Sequence, residues 1–311
     1  MSPSSYSGLH IGLVGCGNWG RNILRDLKQL GVTASVVACS EASIANAIAY
    51  GADNIVASIE AMDTAIDGYV IASITTAHLE NIHALLPRRR PIYTEKPAGT
   101  KLDEVEKLAS EANGLIHVMH KWRYHPGVNA LAALAQSEEL GKMKGLRLQR
   151  TNWGKQHKDV DCALHLLPHD LSIILHIMGY LPSVDTAIPN PLGDSHYGFV
   201  ATLSDLERDI YVTLDVNHIS PGNVRSCAVG FENGVAALTG SYAEGITVCR
   251  FNADHPPEVR PIPQELPLLK QLQMFLNYLR GGPPPLSSIE EELLIMRRIS
   301  AVRTQLYGGD S

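Results

Sequence analysis

Leu9-His-Ile-Gly-Leu-Val-Gly-Cys-Gly-Asn-Trp-Gly20 runs directly into Arg21-Asn-Ile-Leu-Arg-Asp-Leu-Lys-Gln-Leu30. The stretch from Leu9 to Val14 is short, mostly apolar and ends in glycines, the pattern of a buried strand. Trp19, Ile23, Leu24, Leu27 and Leu30 then recur at helical spacing, and Gly31 provides a stop. Gly15, Gly17 and Gly20 thus form a G-x-G-x-x-G turn between strand and helix, the context in which that motif binds a dinucleotide. Gly15 permits the tight turn, Gly17 lets the backbone approach a pyrophosphate, and Gly20 lets helix and strand pack closely. Asn18 and Trp19 lie in the loop whose helix N-terminus faces the phosphates.

The same rhythm continues outward from this turn. Strand-like runs at Val32 to Cys39, Gly68 to Ala72, Pro91 to Thr94 and Leu115 to Met119 alternate with helical patterns at Ile44 to Gly51, Ala77 to Leu86 and Leu102 to Ala112. Such alternation predicts βαβ units and an α/β, doubly wound parallel sheet. Near Trp122 the rhythm changes. A helix (Val128 to Ser137), an alternating strand (Leu146 to Asn152) and an apolar helix around Leu167 to Met178 come first. Strand runs at 197–203, 210–216, 226–231, 235–239 and 246–251 follow, and two helices around 266–280 and 289–306 close the chain. The expected division is a dinucleotide-binding domain over 1–122 and an α+β domain over 123–311. The latter would carry a large, mostly antiparallel, open-faced sheet. The last helices are free to pack back on the first domain.

Composition narrows the function classes. Of 311 residues, 45% are hydrophobic and 19% charged, which suits folded domains rather than a disordered chain. A formal net charge of −6 argues against a nucleic-acid binder that relies on a basic surface. Five cysteines without a C-x-x-C pair suggest neither a disulfide framework nor a zinc ribbon. The uncharged run from Leu171 to Val184 is too short to span a bilayer. A cytoplasmic protein without signal peptide is expected.

Three places carry chemistry. Where the second strand ends, the ribose-facing position falls at Cys39-Ser40-Glu41. An acid there bonds the ribose 2′-hydroxyl and repels a 2′-phosphate, and no Arg or Lys follows nearby, so the reading leans to NAD over NADP. Glu95-Lys96-Pro97 directly follows Pro91 to Thr94, at the carboxyl end of a strand where ligands of open sheets sit. The Lys96 ammonium there can stabilise charge on a substrate oxygen. In His165-Leu-Leu-Pro-His169-Asp170, Pro168 suits the first turn of a helix, which would put His169 at its N-terminus. His169 is the candidate general acid/base. A zinc site from His165, His169 and Asp161 or Asp170 is disfavoured, since no supporting motif exists and Pro168 interrupts the helical spacing. Arg147, Arg150, Lys155 and Lys158 are either a phosphate-binding group or a solvated strand edge, and Glu290, Glu291 and Glu292 do no more than suit a helix dipole.

Together these residues resemble the Gfo/Idh/MocA family of oxidoreductases. Gly15 to Gly20, Ala72-Ser-Ile-Thr-Thr-Ala-His78, Glu95-Lys96-Pro97, Arg123-Tyr-His-Pro126, Glu139-Leu-Gly141 and the helix motif ending in His169 carry the resemblance in order and spacing. It implies a Rossmann domain plus an α/β domain whose sheet forms a homodimer or homotetramer interface. It also implies NAD(P)-dependent oxidation or reduction of a sugar, cyclitol or nucleotide-sugar. Lys96 matches the family lysine contacting substrate and nicotinamide, and His169 the proposed acid/base. Ser73, His78 and Glu95 match positions lining the cofactor, and Arg123 and His165 positions lining the substrate. The chain departs from the family at His165, where an Asp is usual, at Ile74, where a Pro is usual, and at Lys121. Asp161 or Asp170 could substitute for the missing carboxylate. Two other readings are a non-catalytic ligand sensor on the same scaffold and a Rossmann reductase of an imine or other carbonyl compound.

Overall fold

The structure is a computed structural model that describes residues 6–63, 65–154, 159–251 and 256–308. The chain forms two compact units, residues 1–120 with 268–293, and residues 121–267 with 294–311.

The first unit is built on β1 (His10–Val14), α1 (Gly20–Gln29), β2 (Thr33–Val37), α2 (Glu41–Ala49), β3 (Asn54–Val56), β4 (Gly68–Ile71), α3 (His78–Leu85), β5 (Ile92–Thr94), α4 (Leu102–Glu111) and β6 (Ile116–Val118). The six strands are all parallel in the order β3-β2-β1-β4-β5-β6, so the chain reverses direction across the sheet between β1 and β4. Loops at the carboxyl ends flanking such a switch point are where an open α/β sheet binds its ligand. The strands read as near-continuous apolar runs because helices cover both faces. Ile11, Leu13, Val36 and Val70 are fully buried with Ile23, Leu24 and Leu27 of α1. Leu272, Phe275 and Leu276 join the same core from a much later helix, with Phe275 stacked at a tilt on Tyr93 at 5.1 Å between ring centres. β3 was not foreseen in the sequence. It is three residues long and only half-buried, so it lacks the apolar run that marks its neighbours.

The second unit holds α5 (Pro126–Ser137), β7 (Met143–Trp153), α6 (Cys162–Met178), β8 (Ser183–Pro189), β9 (Gly198–Asp205), β10 (Ile210–Asn217), β11 (Ile219–Phe231), β12 (Gly234–Leu238), β13 (Gly245–Arg250) and β14 (Glu258–Pro261). These eight strands form one sheet in the order β14-β13-β12-β11-β7-β10-β9-β8, antiparallel except where β7 meets β10. Period-two burial along β10 turns Val212, Leu214 and Val216 inward, while Tyr211 and Thr213 face outward. β8 and β14 are edge strands with mostly exposed residues, which is why no alternation announced them. The chain ends with α7 (Pro267–Leu279) and α8 (Ile289–Tyr307).

One sequence expectation needs correction. α6 begins at Cys162, not near Pro168, because the Asp161 side chain accepts the Leu164 N–H at 2.9 Å and caps the helix there. Pro168 is interior, and His169 lies nearly two turns into the helix. His165 and His169 therefore lie one turn apart along one face.

Candidate active site

The glycine turn is sterically constrained at two of its three positions. Gly15 has φ +93°, and a Cβ there would meet the Ala72 carbonyl and Ser73 backbone at 2.8 Å. A Cβ on Gly20 would sit 2.3 Å from the Gly15 carbonyl oxygen, so only glycine lets α1 start against this turn. A Cβ on Gly17 would meet nothing within 4 Å. The backbone is bare at that point, yet the protein itself does not need the space, which fits a ligand approaching from outside. Asn46 of α2 donates to the Cys16 carbonyl at 2.9 Å and holds the turn, while Gly17 and Asn18 stay exposed.

Trp19, just before α1, donates through its indole N–H to Glu95 Oε1 at 2.5 Å. That bond ties the glycine turn to the loop after β5, across the strand between them. Glu95 is further set by its own N–H on the Ile71 carbonyl. Lys96 follows, largely buried, and Pro97 closes the turn. His78 is also buried. Its Nδ1 lies 2.8 Å from the Pro97 carbonyl and its Nε2 3.2 Å from the Ser73 carbonyl. Burial pushes its pKa down, opposed by the two carbonyl contacts. Ser73 Oγ accepts from Asn81 of α3. Gly15, Trp19, Ser73, His78, Glu95 and Lys96 are thus brought together at the carboxyl ends of β1, β4 and β5.

At the end of β2, Ser40 caps α2. Its hydroxyl accepts the Ser43 N–H, and the Ser43 hydroxyl bonds the Ser40 backbone in return. Glu41 is exposed in the first turn.

The second unit holds the other candidates. Arg123 is buried in the short turn 121–124. His169 is half-buried on α6. His165 Nδ1 lies 3.0 Å from His218 Nε2, with the two rings stacked 5.0 Å apart at 17°. His218, fully surrounded in the link from β10 to β11, places its Nδ1 2.8 Å from Asn152 Oδ1. Because the amide oxygen only accepts, His218 Nδ1 carries the proton. In a neutral His218 ring Nε2 then accepts, and His165 Nδ1 donates. Neither His218 nor Asn152 stood out in the sequence, since partners 53 and 66 positions apart leave no local pattern.

The two carboxylates that could have replaced the missing Asp are engaged elsewhere. Asp161 caps α6 and pairs with Arg303 at 2.9 Å. Asp170 is buried against Arg150 at 2.7 Å, and Arg150 lies over the Trp122 ring at 4.8 Å. Burial pushes the Asp170 pKa up, opposed by Arg150. Arg150 is therefore a core cation rather than part of a solvated or phosphate-binding group. Arg147 is exposed, and Lys155 and Lys158 lie outside the described residues. Among the described residues no group of three or more His, Cys, Asp or Glu is placed to hold a metal, and no helix is long and apolar enough to cross a membrane.

A six-stranded parallel sheet with this strand order and glycine turn is the architecture of a dinucleotide-binding domain. Residues 9–120 match the model of the Gfo/Idh/MocA family, described as "Oxidoreductase family, NAD-binding Rossmann fold". It is 23% identical over 264 residues to inositol 2-dehydrogenase of Burkholderia vietnamiensis, covering 76% of each chain. Its fold is similar to that of UDP-N-acetylglucosamine 3-dehydrogenase from Acidithiobacillus ferrooxidans, with TM-score 0.82, 16% identity and coverage of 97% and 99% of the two chains. It is also similar to a levoglucosan dehydrogenase solved with NADH and levoglucosan, with TM-score 0.85, 12% identity and coverage of 97% and 98%.

Proposed function

We propose that the protein is an NAD(P)-dependent dehydrogenase or reductase acting on a CH–OH group of a sugar, cyclitol or nucleotide-sugar. The observation that carries this reading is the turn bearing Lys96. It leaves the carboxyl end of β5 and is tied by the Trp19–Glu95 bond to a glycine turn with room at Gly17. The names of the inositol, amino-sugar nucleotide and anhydrosugar dehydrogenases it resembles support the substrate class.

Gly15, Gly17, Asn18, Trp19 and Gly20 would hold the pyrophosphate, Ser40 and Glu41 the ribose, and Ser73, His78 and Glu95 the nicotinamide side. A dinucleotide held there would supply the hydride acceptor for oxidation and the hydride donor for reduction. Lys96 hydrogen-bonds the reacting oxygen and stabilises charge developing on it. His169 takes the hydroxyl proton in one direction and returns it in the other. Arg123 and His165 hold other substrate groups. NAD is the favoured cofactor, because Glu41 brings negative charge to the end of β2 and no cation follows nearby. The partner is a second copy of the chain, in a homodimer or homotetramer through the outward face of the eight-stranded sheet. That face carries the exposed Ile188, Tyr211 and Val259. The cytoplasm is the compartment this reading implies.

The test compares NADH with NADPH by fluorescence titration. It then follows turnover of a polyol panel by wild type, Lys96→Ala and His169→Ala. Loss of turnover with retained cofactor affinity is expected for each variant. Wild-type rates in both would refute the assignment, and tight NADH binding without any turnover in the wild type would move the protein to the sensor class.

A further inference from the structure

Glu292, which sequence reading left as one of three dipole-matching acids, is fully buried, and so is His120 just after β6. Glu292 Oε2 lies 2.7 Å from His120 Nε2, and Oε1 accepts the Ala98 N–H at 3.0 Å. His120 Nδ1 is buried with no hydrogen-bond partner among the described residues. A proton there would leave an unmet donor, so the ring proton resides on Nε2 and is donated to Glu292 Oε2.

We propose that Glu292 is a positioning residue for Lys96. The proposal rests on the reading of Lys96 as the group that contacts the reacting oxygen. The backbone around Lys96 is held at three points. The Glu95 N–H bonds the Ile71 carbonyl, the Pro97 carbonyl faces His78, and the Ala98 N–H bonds Glu292. The first comes from the end of β4 and the second from the start of α3. The third comes from the first turn of α8, 194 positions further along. Without it, the Ala98 N–H loses its acceptor, and the next backbone anchors are the Thr100 and Lys101 N–H groups on Glu104. Stability does not account for the pair. Burying a carboxylate is costly, and apolar residues of similar volume commonly replace such pairs with no loss. What only an acceptor at Glu292 supplies is a fixed partner for the Ala98 N–H. Small displacements of a group that contacts reacting atoms cost up to about 10²-fold in rate, so this anchor is where the buried charge has its effect.

Four variants of the full chain separate positioning from structure: Glu292→Ala, Glu292→Gln, His120→Phe and His120→Phe/Glu292→Ala. The readouts are thermal midpoint, NADH affinity, hydrogen exchange at the Ala98 amide, and kcat and KM on the polyol the wild type turns over. In Glu292→Ala the Ala98 amide should exchange faster and kcat fall about 10- to 100-fold, with NADH affinity kept. Glu292→Gln retains an acceptor, so slow exchange and most of the lost kcat should return. His120→Phe leaves the charge buried without its donor and should lower the midpoint, yet keep slow Ala98 exchange. The double variant should regain stability over His120→Phe while its kcat stays low. Turnover tracking the thermal midpoint, rather than the presence of an acceptor at position 292, would overturn the proposal. So would Ala98 exchange unchanged in Glu292→Ala. If Lys96→Ala itself costs nothing, or no polyol reacts, the reading of Lys96 has failed. Ala98 exchange then still decides whether Glu292 holds the turn.

Discussion

Gly17→Ala and Gly20→Ala look alike in sequence and should behave in opposite ways. At Gly20 the new Cβ would lie 2.3 Å from the Gly15 carbonyl oxygen, a backbone atom that cannot swing aside. Forcing α1 away from the turn is an overpacking error costing about 1–3 kcal/mol. The better helix propensity of alanine, at most about 1 kcal/mol, offsets only part of it. At Gly17 the Cβ meets nothing within 4 Å and the backbone is not left-handed. There the substitution should leave the ligand-free protein unchanged or raise its stability by about 0.4–1 kcal/mol through the unfolded chain. The methyl would, however, stand where a pyrophosphate approaches. Thermal unfolding without ligand should therefore rank Gly17→Ala at or above wild type and Gly20→Ala below it. NADH titration should show weakened binding in both. If Gly17→Ala unfolds as early as Gly20→Ala, or binds NADH like the wild type, the division of roles within the turn is wrong.

Three further outcomes follow from buried groups. Arg303→Met strips Asp161 of its cation in a site where both side chains are nearly inaccessible, so about 3–5 kcal/mol of stability should be lost. Adding Asp161→Asn, which keeps a cap on α6, should recover part of it, and urea midpoints measure both. His117, its ring edge-on to Tyr278 at 5.2 Å, is held neutral by burial with its pKa pushed down to about 4, slightly opposed by Glu290. Between that value and about 6.5 the unfolded chain binds the extra proton, so stability falls as pH drops through this window and is level above it. His117→Phe should flatten that part of the urea-midpoint profile, and an unaltered slope would contradict it. In ¹⁵N NMR of the neutral protein, His165 and His218 should both carry their proton on Nδ1, the reverse of the preference of free histidine. Asn152→Ala should release His218 from that tautomer; an Nε2–H form of His218 in the wild type would refute the chain of bonds.

The parts of the site legible in the sequence are those made by neighbours in the chain. Gly15, Gly17 and Gly20 announce themselves because one turn between one strand and one helix imposes all three requirements. Lys96 is recognisable because the strand before it ends where ligands sit. The start of α6 was misplaced because Pro168 offers a strong local signal for a first turn. The actual cap, Asp161, is confirmed only by its bond to Leu164. Glu292 shows the opposite error, a residue with an adequate local explanation and a different tertiary one.

Periodicity alone settled the two kinds of sheet, the doubly wound first half and the order of the glycine and lysine motifs. Whether a side chain repeats every two or nearly four positions decides which face it can bury, and that information is local. Which charges are buried, and against what, was decided only by folding. Glu292 meets His120, Asp170 meets Arg150, and Asn152 meets His218, each across separations at which sequence carries no pattern. A carboxylate in isolation prefers water. Its position inside depends on whether distant segments deliver donors to it, and only the assembled chain specifies that.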